Sequence, residues 1–267
     1  MPRIYREMWE ESARLATEEY KSTTEKKYFG KVTVDSGLNT RTGKTFFTIT
    51  SKTELFDDEE QKKRLKDELV SALKTLFAKY SVTPSSKIMA VGLGNDKITA
   101  DSLGCRTADK LVVTAHMYSD EGVRSRYGNL CAFKSGVSGV TGMESFDLIT
   151  AAAKAAKPDL IVAIDTLSCG KSERLGCTVQ LTDNGIEPGA GVNNPKRKLS
   201  ADSLKTPVVA IGVPFVIYVS TILRELGVPS VPENLSSLVV TAKEIDFLIE
   251  DYSDVIASAI NAVVHGK

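Results

Sequence analysis

Short apolar runs alternate with longer amphipathic segments along most of the chain. The runs at residues 87–93, 130–133, 160–165 and 208–212 are apolar at nearly every position, which is typical of strands covered on both faces. The segments between them repeat apolar residues at helical spacing. This alternation favours an α/β fold, a doubly wound and mostly parallel sheet with helices on both faces.

The amphipathic segments predict six helices. The last one has the most regular apolar stripe, and the residues Thr241-Ala242-Lys243-Glu244 before it have the pattern of a capping box. Pro214 is predicted to begin the fifth helix. The predicted helices cover residues 3–20, 57–80, 102–118, 145–156, 214–226 and 241–263.

The amino-terminal region has a different pattern. β-Branched and aromatic residues at 28–34 and 44–50 flank turn residues at 36–43, which predicts a long hairpin. We therefore expect a single α/β domain over residues 1–267, with a helix and hairpin layer at 1–56 and the core at 57–267. A further short strand is predicted at 178–182, followed by a long loop at 183–199.

The composition of the chain argues against a nucleic-acid-binding, membrane or secreted protein. The chain has 267 residues and is 42% hydrophobic, which is enough for a covered sheet. Lys plus Arg and Asp plus Glu both total 34, so no overall field attracts nucleic acid or a membrane surface. Without a signal peptide pattern or an apolar run of membrane-spanning length, we expect a cytoplasmic protein whose four cysteines are free thiols.

Three glycine-containing motifs resemble known sites but lack a required residue. Lys97 stands where a dinucleotide-binding loop needs its third glycine, and Asp165 stands where a phosphate loop ending in Gly170-Lys171-Ser172 needs its first. Val140 replaces the second glycine of a nucleophile elbow. We therefore expect no cofactor.

The histidines and cysteines also give little support for a catalytic triad or a zinc site. His116 and His265 are the only histidines, and the second is two residues from the end of the chain. Cys169 and Cys177 are eight residues apart with no paired ligands nearby, so the pattern gives little support for zinc.

Two aspartates remain as candidate catalytic residues, Asp101 and Asp165, each at or shortly after the end of a buried strand. Two carboxyl groups in unlike surroundings can divide the work of peptide hydrolysis, one as base and one as acid. We expect the start of a helix to keep Asp101 ionised and burial to keep Asp165 protonated. A structural alternative stays open, in which Asp101 caps its helix and Asp165 bonds a neighbouring loop.

At these residues the sequence resembles the bacterial spore germination protease family, an unusual family of aspartic endopeptidases. The resemblance runs in order through most of residues 85–265. Its motifs lie at residues 91–95 with 101–104, 136–144, 157–165, 180–186, 188–192, 207–214 and 240–246.

The resemblance implies that Asp101 and Asp165 match the essential aspartates of the family. It implies the fold of hydrogenase-maturation endopeptidases, and a protein substrate, the small acid-soluble proteins that coat spore DNA. It further implies a location in the spore core or forespore, and it allows a homo-oligomer. Direct binding of nucleic acid or membrane is not expected. Because no histidine falls in a matching motif, we favour a metal-free pair. The chain departs from the family pattern at Cys105, where proline is usual, and in the shorter segment 226–238.

The leading hypothesis is therefore an endopeptidase in which the two aspartates activate water. We expect Asn95 and loop amides to stabilise the oxyanion, and the loops at 136–142 and 183–199 to line a substrate groove. The alternatives are a metal-dependent maturation-type endopeptidase and a non-catalytic protein-binding homologue. The basic cluster at 195–198 is either a solvated turn or an edge of this groove. The candidate lining residues are Gly139, Thr141, Asp183, Lys196 and Arg197.

Overall fold

The computed structural model describes residues 22–51, 58–188, 197–228 and 230–266. Within these ranges nine strands form one sheet in the order β1-β2-β3-β7-β8-β6-β4-β5, with β9 paired to β8. The predicted helix at 3–20 lies outside the described residues. The strands are β1 Ser22–Phe29, β2 Val32–Asn39, β3 Lys44–Ser51, β4 Lys87–Gly92, β5 Asn129–Lys134, β6 Leu160–Ser168, β7 Thr178–Thr182, β8 Val208–Tyr218 and β9 Val239–Thr241.

The sheet is mixed, so the expectation of a mostly parallel sheet holds only for its centre. Strands β5, β4, β6 and β8 are parallel neighbours. All the remaining pairs, from β1 to β8 and between β8 and β9, are antiparallel. Strand β7 reverses direction next to β8 and lets the amino-terminal strands extend the sheet.

The amino-terminal strands form a three-stranded meander in place of the single predicted hairpin. A turn at Gly30, which has φ +63°, divides the predicted strand at 28–34 into β1 and β2. Only glycine adopts this left-handed region without strain. Strand β2 continues to Asn39, which leaves a shorter turn before β3 than the sequence predicts.

Nine α-helices lie in the described part of the chain, and the long ones cover both faces of the sheet. The first begins at Asp58, whose side chain accepts a hydrogen bond from Gln61 N–H at 2.9 Å. The helices are α1 Glu59–Ala78, α2 Leu103–Asp109, α3 Glu121–Arg124, α4 Ser138–Thr141, α5 Ser145–Ala156, α6 Ala201–Leu204, α7 Val219–Glu225, α8 Glu233–Ser236 and α9 Ile245–His265.

Three helix predictions require correction. The segment at 102–118 forms the short helix α2 and further turns. Pro214 lies inside β8, which continues to Tyr218. Proline has no N–H to donate to a neighbouring strand, and the pairing of β6 with β8 shifts register next to it, after Leu167, so the strand continues past it. The capping box is also wrong, since Thr241 belongs to β9 and α9 begins after Glu244.

The core has two layers, one on each face. Alternate residues of β6 divide between them: Val162 and Ile164 pack with α1 and α9, and Ile161 and Ala163 pack with α5. This alternation follows from the two-residue period of a strand. Among the described residues, no helix is long and apolar enough to cross a membrane.

Candidate active site

The ladder between β4 and β6 ends beside Asp165. Leu93 N–H donates to Ile164 O at 2.9 Å, and β4 then turns away from the sheet. The next amide on that side of β6, Thr166 N–H, donates to Asp165 Oδ1 at 2.9 Å. If β4 continued, one of its carbonyl oxygens would accept the hydrogen bond from Thr166 N–H. Asp165 Oδ1 accepts it in that place, so the Asp165 carboxylate is turned toward the side of β6 where β4 has ended.

Asp101 is held by the loop that follows β4. Asn95 N–H donates to Asp101 O at 3.0 Å and to Asp101 Oδ2 at 2.9 Å. Gly94 has φ +93°, and a Cβ atom at that position would overlap Asp101 O. The loop therefore closes on its own aspartate, and glycine is required for the closure.

The start of α2 joins this loop to β6 through backbone contact. A Cβ atom on Gly104 would overlap Ile164 O and the backbone of Leu93, and one on Gly92 would overlap Gly104 O. The turn that carries Asp101 also contacts β6, β8 and α9. Two glycines thus let the turn approach the strand end that carries Asp165, and the structure brings both aspartates to the carboxyl edge of the parallel strands.

The two aspartates differ in burial. Asp165 is 6% exposed and lies within β6, which runs to Ser168, so it does not follow the strand end as the sequence suggests. Asp101 is half-buried. This is the difference in surroundings that a division between acid and base requires.

Cys105 lies beneath the loop, and its Sγ is 3.7 Å from Gly94 O. Burial raises the pKa of the Cys105 thiol to about 11, and the negative charges of Asp96 and Asp101 act in the same direction. The thiol therefore stays protonated at neutral pH, which gives it a packing role where the family usually has proline.

The glycine-rich loop lies at the same edge. Ser135 N–H donates to Gly92 O at 3.2 Å, which ties the loop after β5 to the end of β4. Gly139 and Thr141 belong to the short helix α4, and both are exposed. Thr141 Oγ1 lies 3.0 Å from Met143 O. The glycine-rich loop therefore starts beside the end of β4, and the contacts of Thr141 are local to that loop.

Asp183 lies elsewhere. Because β7 is antiparallel to β8, its end points to the opposite edge of the sheet. The Asp183 side chain is 1% exposed. Its carboxylate accepts hydrogen bonds from Lys79 Nζ at 2.6 Å, Tyr80 OH at 2.9 Å and Thr45 N–H at 2.6 Å. This arrangement joins α1, β3 and β7, and it gives no support to the predicted substrate contact.

The remaining predicted residues have varied surroundings. The Asn95 side chain accepts a hydrogen bond from Lys97 N–H at 3.0 Å and shapes the loop. Arg197 is paired with Asp147 in the first turn of α5, and its guanidinium lies 4.2 Å from the centre of the Phe146 ring. Arg197 therefore lies beside the helix that follows the glycine-rich loop. Lys196 lies outside the described residues.

Within the described ranges, no group of three or more His, Cys, Asp or Glu residues could hold a metal ion. His265 Nε2 lies 3.0 Å from Val112 O at the end of α9. His116 lies in a turn at 115–117.

Thr166 was not predicted as a site residue from the sequence. It follows Asp165 directly, and its Oγ1 is buried without a hydrogen-bond partner among the described residues. Threonine is common in strands, so its position beside a candidate catalytic residue was the only signal in the sequence.

The fold and this edge are those of an α/β protein with two acidic side chains at one end of a parallel core. A family model described as germination protease matches residues 10–226. The chain belongs to the germination protease family, whose members are endopeptidases of an atypical aspartic type. The family prediction made from the motifs is therefore confirmed.

Individual relatives agree with this assignment. The germination protease of Clostridium acetobutylicum is 33% identical over 256 residues, which cover 81% of this chain and 77% of the relative. Those of Oceanobacillus iheyensis and Bacillus subtilis are 41% and 36% identical over 159 and 171 residues. These two alignments cover 59% and 63% of this chain but only 43% and 46% of the relatives.

Proposed function

We propose that this protein is an endopeptidase that hydrolyses peptide bonds in small acid-soluble spore proteins during germination, with Asp101 and Asp165 as the catalytic pair. The observation that carries the proposal is that the turn carrying Asp101 packs against β6, the strand that carries Asp165, at the carboxyl end of the parallel strands. Asp165 Oδ1 is turned toward the edge left by β4, and the loop from that strand holds Asp101 there. Family membership supplies the reaction class.

In the proposed reaction, ionised Asp101 takes a proton from water while the water oxygen forms a bond to the peptide carbonyl carbon. The carbonyl electron pair moves onto oxygen. When the intermediate collapses, the C–N bond breaks and protonated Asp165 gives its proton to the leaving nitrogen. A proton then passes from Asp101 back to Asp165, which restores both groups.

Burial supports this division of roles. Desolvation disfavours a charged carboxylate, so the more deeply buried Asp165 is the better proton donor. Asp165 Oδ1 accepts a hydrogen bond from Thr166 N–H, and we assign the proton of the acid to Asp165 Oδ2. The amide of Asn95 donates to Asp101 Oδ2 in the same way, so the assignment of Asp101 as the base rests on its greater exposure.

We assign the walls of the groove to the loops at this edge. The Asn95 region and the backbone amide of Gly139 supply donors for the oxyanion. Thr141 N–H already donates to Val137 O at 3.0 Å, so Thr141 is assigned to the wall alone. Arg197, beside α5, lies at the rim, and Lys196 is proposed to extend it. Asp183 is left out of the groove because its carboxylate is buried at the other edge.

Other proposals follow from the family. We infer a fold shared with hydrogenase-maturation endopeptidases, a single domain over residues 1–267, and a location in the spore core or forespore. A homo-oligomer stays a prediction, for which sedimentation equilibrium is the measurement.

The test compares cleavage of purified small acid-soluble spore proteins by the wild type, Asp101→Asn and Asp165→Asn. We expect each variant to lose about 10²- to 10⁴-fold in kcat, the range for a lost acid or base. The exposed Asp202→Asn in α6 is the matched control and keeps full activity. Retained activity in both Asp101→Asn and Asp165→Asn would contradict the proposal.

The same assay separates the two alternatives. A metal-dependent maturation-type enzyme would lose activity in a chelator, regain it with zinc or nickel, and lose bound metal in the aspartate variants. A non-catalytic binding protein would retain the spore protein on a column and release no fragments. We expect cleavage that the chelator does not change.

A further inference from the structure

The hydroxyl of Thr166 is a polar group that the proposed reaction has not yet used. Thr166 Oγ1 is buried and has no hydrogen-bond partner among the described residues. A hydroxyl that is hidden from solvent and unpaired destabilises a fold, and such groups in native proteins call for an explanation. A water or substrate atom held during the reaction would supply the missing partner.

The strand geometry places this hydroxyl on the face of β6 from which the turn that carries Asp101 approaches. Residues of β6 alternate between the two faces, and Val162 and Ile164 belong to the layer that contains α9. Thr166 follows on the same face. The turn that carries Asp101 contacts β6, β8 and α9, so it approaches β6 from this side.

The backbone of the same residue fixes Asp165. Thr166 N–H donates to Asp165 Oδ1 at 2.9 Å. Thr166 thus contacts the Asp165 carboxylate through its amide, and its side chain lies on the face of β6 from which the turn that carries Asp101 approaches.

We propose that Thr166 is a third catalytic residue, whose hydroxyl binds the attacking water between Asp101 and Asp165. The inference rests on the proposed function of the aspartate pair. Thr166 Oγ1 accepts one hydrogen of the water, while Asp101 accepts the other as the oxygen attacks. The hydroxyl orients the water and undergoes no covalent change, so the proton balance of the reaction stays as described.

The experiment measures kcat, KM and unfolding free energy for Thr166→Val and Thr166→Ser on purified small acid-soluble spore proteins. Valine keeps the shape and removes the hydroxyl, and serine keeps the hydroxyl. We expect Thr166→Val to lower kcat about 10- to 100-fold, the effect of one lost transition-state hydrogen bond, with KM unchanged. Thr166→Ser should stay within about threefold of the wild type.

Thr48→Val is the matched control. Thr48 is also a strand threonine whose Oγ1 is buried and unpaired among the described residues, and it lies in β3, outside the parallel core. We expect Thr48→Val to retain full kcat. Both valine variants should be at least as stable as the wild type, because an apolar group replaces an unpaired hydroxyl.

The outcomes are distinct. A loss of kcat in Thr166→Val alone, with serine active and stability kept, supports the inference. Full activity in Thr166→Val, with Asp165→Asn inactive, overturns it and leaves the proposed function intact. Full activity in both Asp101→Asn and Asp165→Asn overturns the proposed function and, with it, the inference about Thr166. A drop in stability that accompanies the loss of kcat in Thr166→Val would assign the hydroxyl a structural role and overturn the inference.

Discussion

Asp165 and Asp183 both close a strand predicted from the sequence, yet they lie at opposite edges of the sheet. Asp165 belongs to β6, which is parallel to β4 and β8. Asp183 follows β7, which is antiparallel to β8. The same pattern in the sequence thus leads to a candidate catalytic group in one case and to a buried ion pair in the other.

The comparison shows that strand direction decides what an aspartate at a strand end can do. Parallel strands bring their carboxyl ends to one edge, where loops converge. At the other edge, Asp183 meets the residues that follow α1, where Lys79 and Tyr80 bind its carboxylate. Burial and the charge of Asp183 raise the pKa of Tyr80 well above its usual value, so Tyr80 remains a hydrogen-bond donor at any working pH.

The largest effect should come from removing the buried carboxylate. We expect Asp183→Ala to lower the unfolding free energy by about 3 kcal/mol, the lower end of the range for breaking a buried pair, because Lys79 keeps some contact with solvent. Urea denaturation measures this change. Tyr80→Phe, which removes one hydrogen bond, should cost about 1 kcal/mol. If Asp183→Ala left the stability unchanged and raised KM, Asp183 would be a substrate-binding residue and this account would be wrong.

The next effect concerns the other edge. We expect Gly94→Ala to lower kcat about 100-fold, because the new Cβ overlaps Asp101 O and displaces the candidate base. Steady-state kinetics on the spore protein substrate measures it. Gly43→Ala is the matched control, since Gly43 has φ +67° but no atom within 4 Å of the added Cβ. It should lose about 1 kcal/mol of stability and keep kcat. Equal kcat values for the two variants would contradict this account of the loop.

A chemical probe tests the surroundings of the same loop. The pKa of Cys105 is raised from 9.0 to about 11, so at pH 7.5 its thiolate fraction is about 100-fold below that of an unperturbed thiol. We expect iodoacetamide to label Cys105 at least about 100-fold more slowly in the native protein than in urea. Peptide mapping by mass spectrometry gives the rate, and equal rates in both conditions would refute the burial of Cys105.

The smallest effect concerns the exposed ion pairs between α2 and α9. Glu250 pairs with Arg106 at 3.1 Å and with Lys110 at 2.6 Å, and the bond from Lys110 holds the pKa of Glu250 below its usual 4.5. This stabilisation is present at neutral pH and is lost as the pH falls through the lowered pKa. Glu250→Gln should cost less than about 1 kcal/mol at pH 7, and less in high salt. A salt-independent loss would contradict a surface pair.

Much of the fold follows from the sequence because the strongest patterns are local. Helix α5 begins and ends at its predicted residues, and β4, β5 and β7 lie within one residue of theirs. The failures occur where distant contacts override a local signal. Pro214 indicates a helix start, but a register shift in the neighbouring strand admits it to β8.

The site was only partly predictable for the same reason. The motifs indicated Asp101 and Asp165 as candidates, and the glycine pattern indicated a loop between strand and helix. The contact between Gly104 and the backbone of β6 depends on packing that no local pattern encodes. The environments of Asp183 and Thr166 depend on strand direction and on where a neighbouring strand ends.

The pairing of β3 with β7 has a consequence for the order of events during synthesis. Phe46 pairs with Thr182, so the amino-terminal meander is made long before the strand that covers its outer edge. Until then, β3 presents open backbone groups beside hydrophobic side chains, which is the kind of edge that joins other chains. The nascent protein therefore passes through an interval in which its first three strands are most exposed to misassembly, and the emergence of β7 ends that interval.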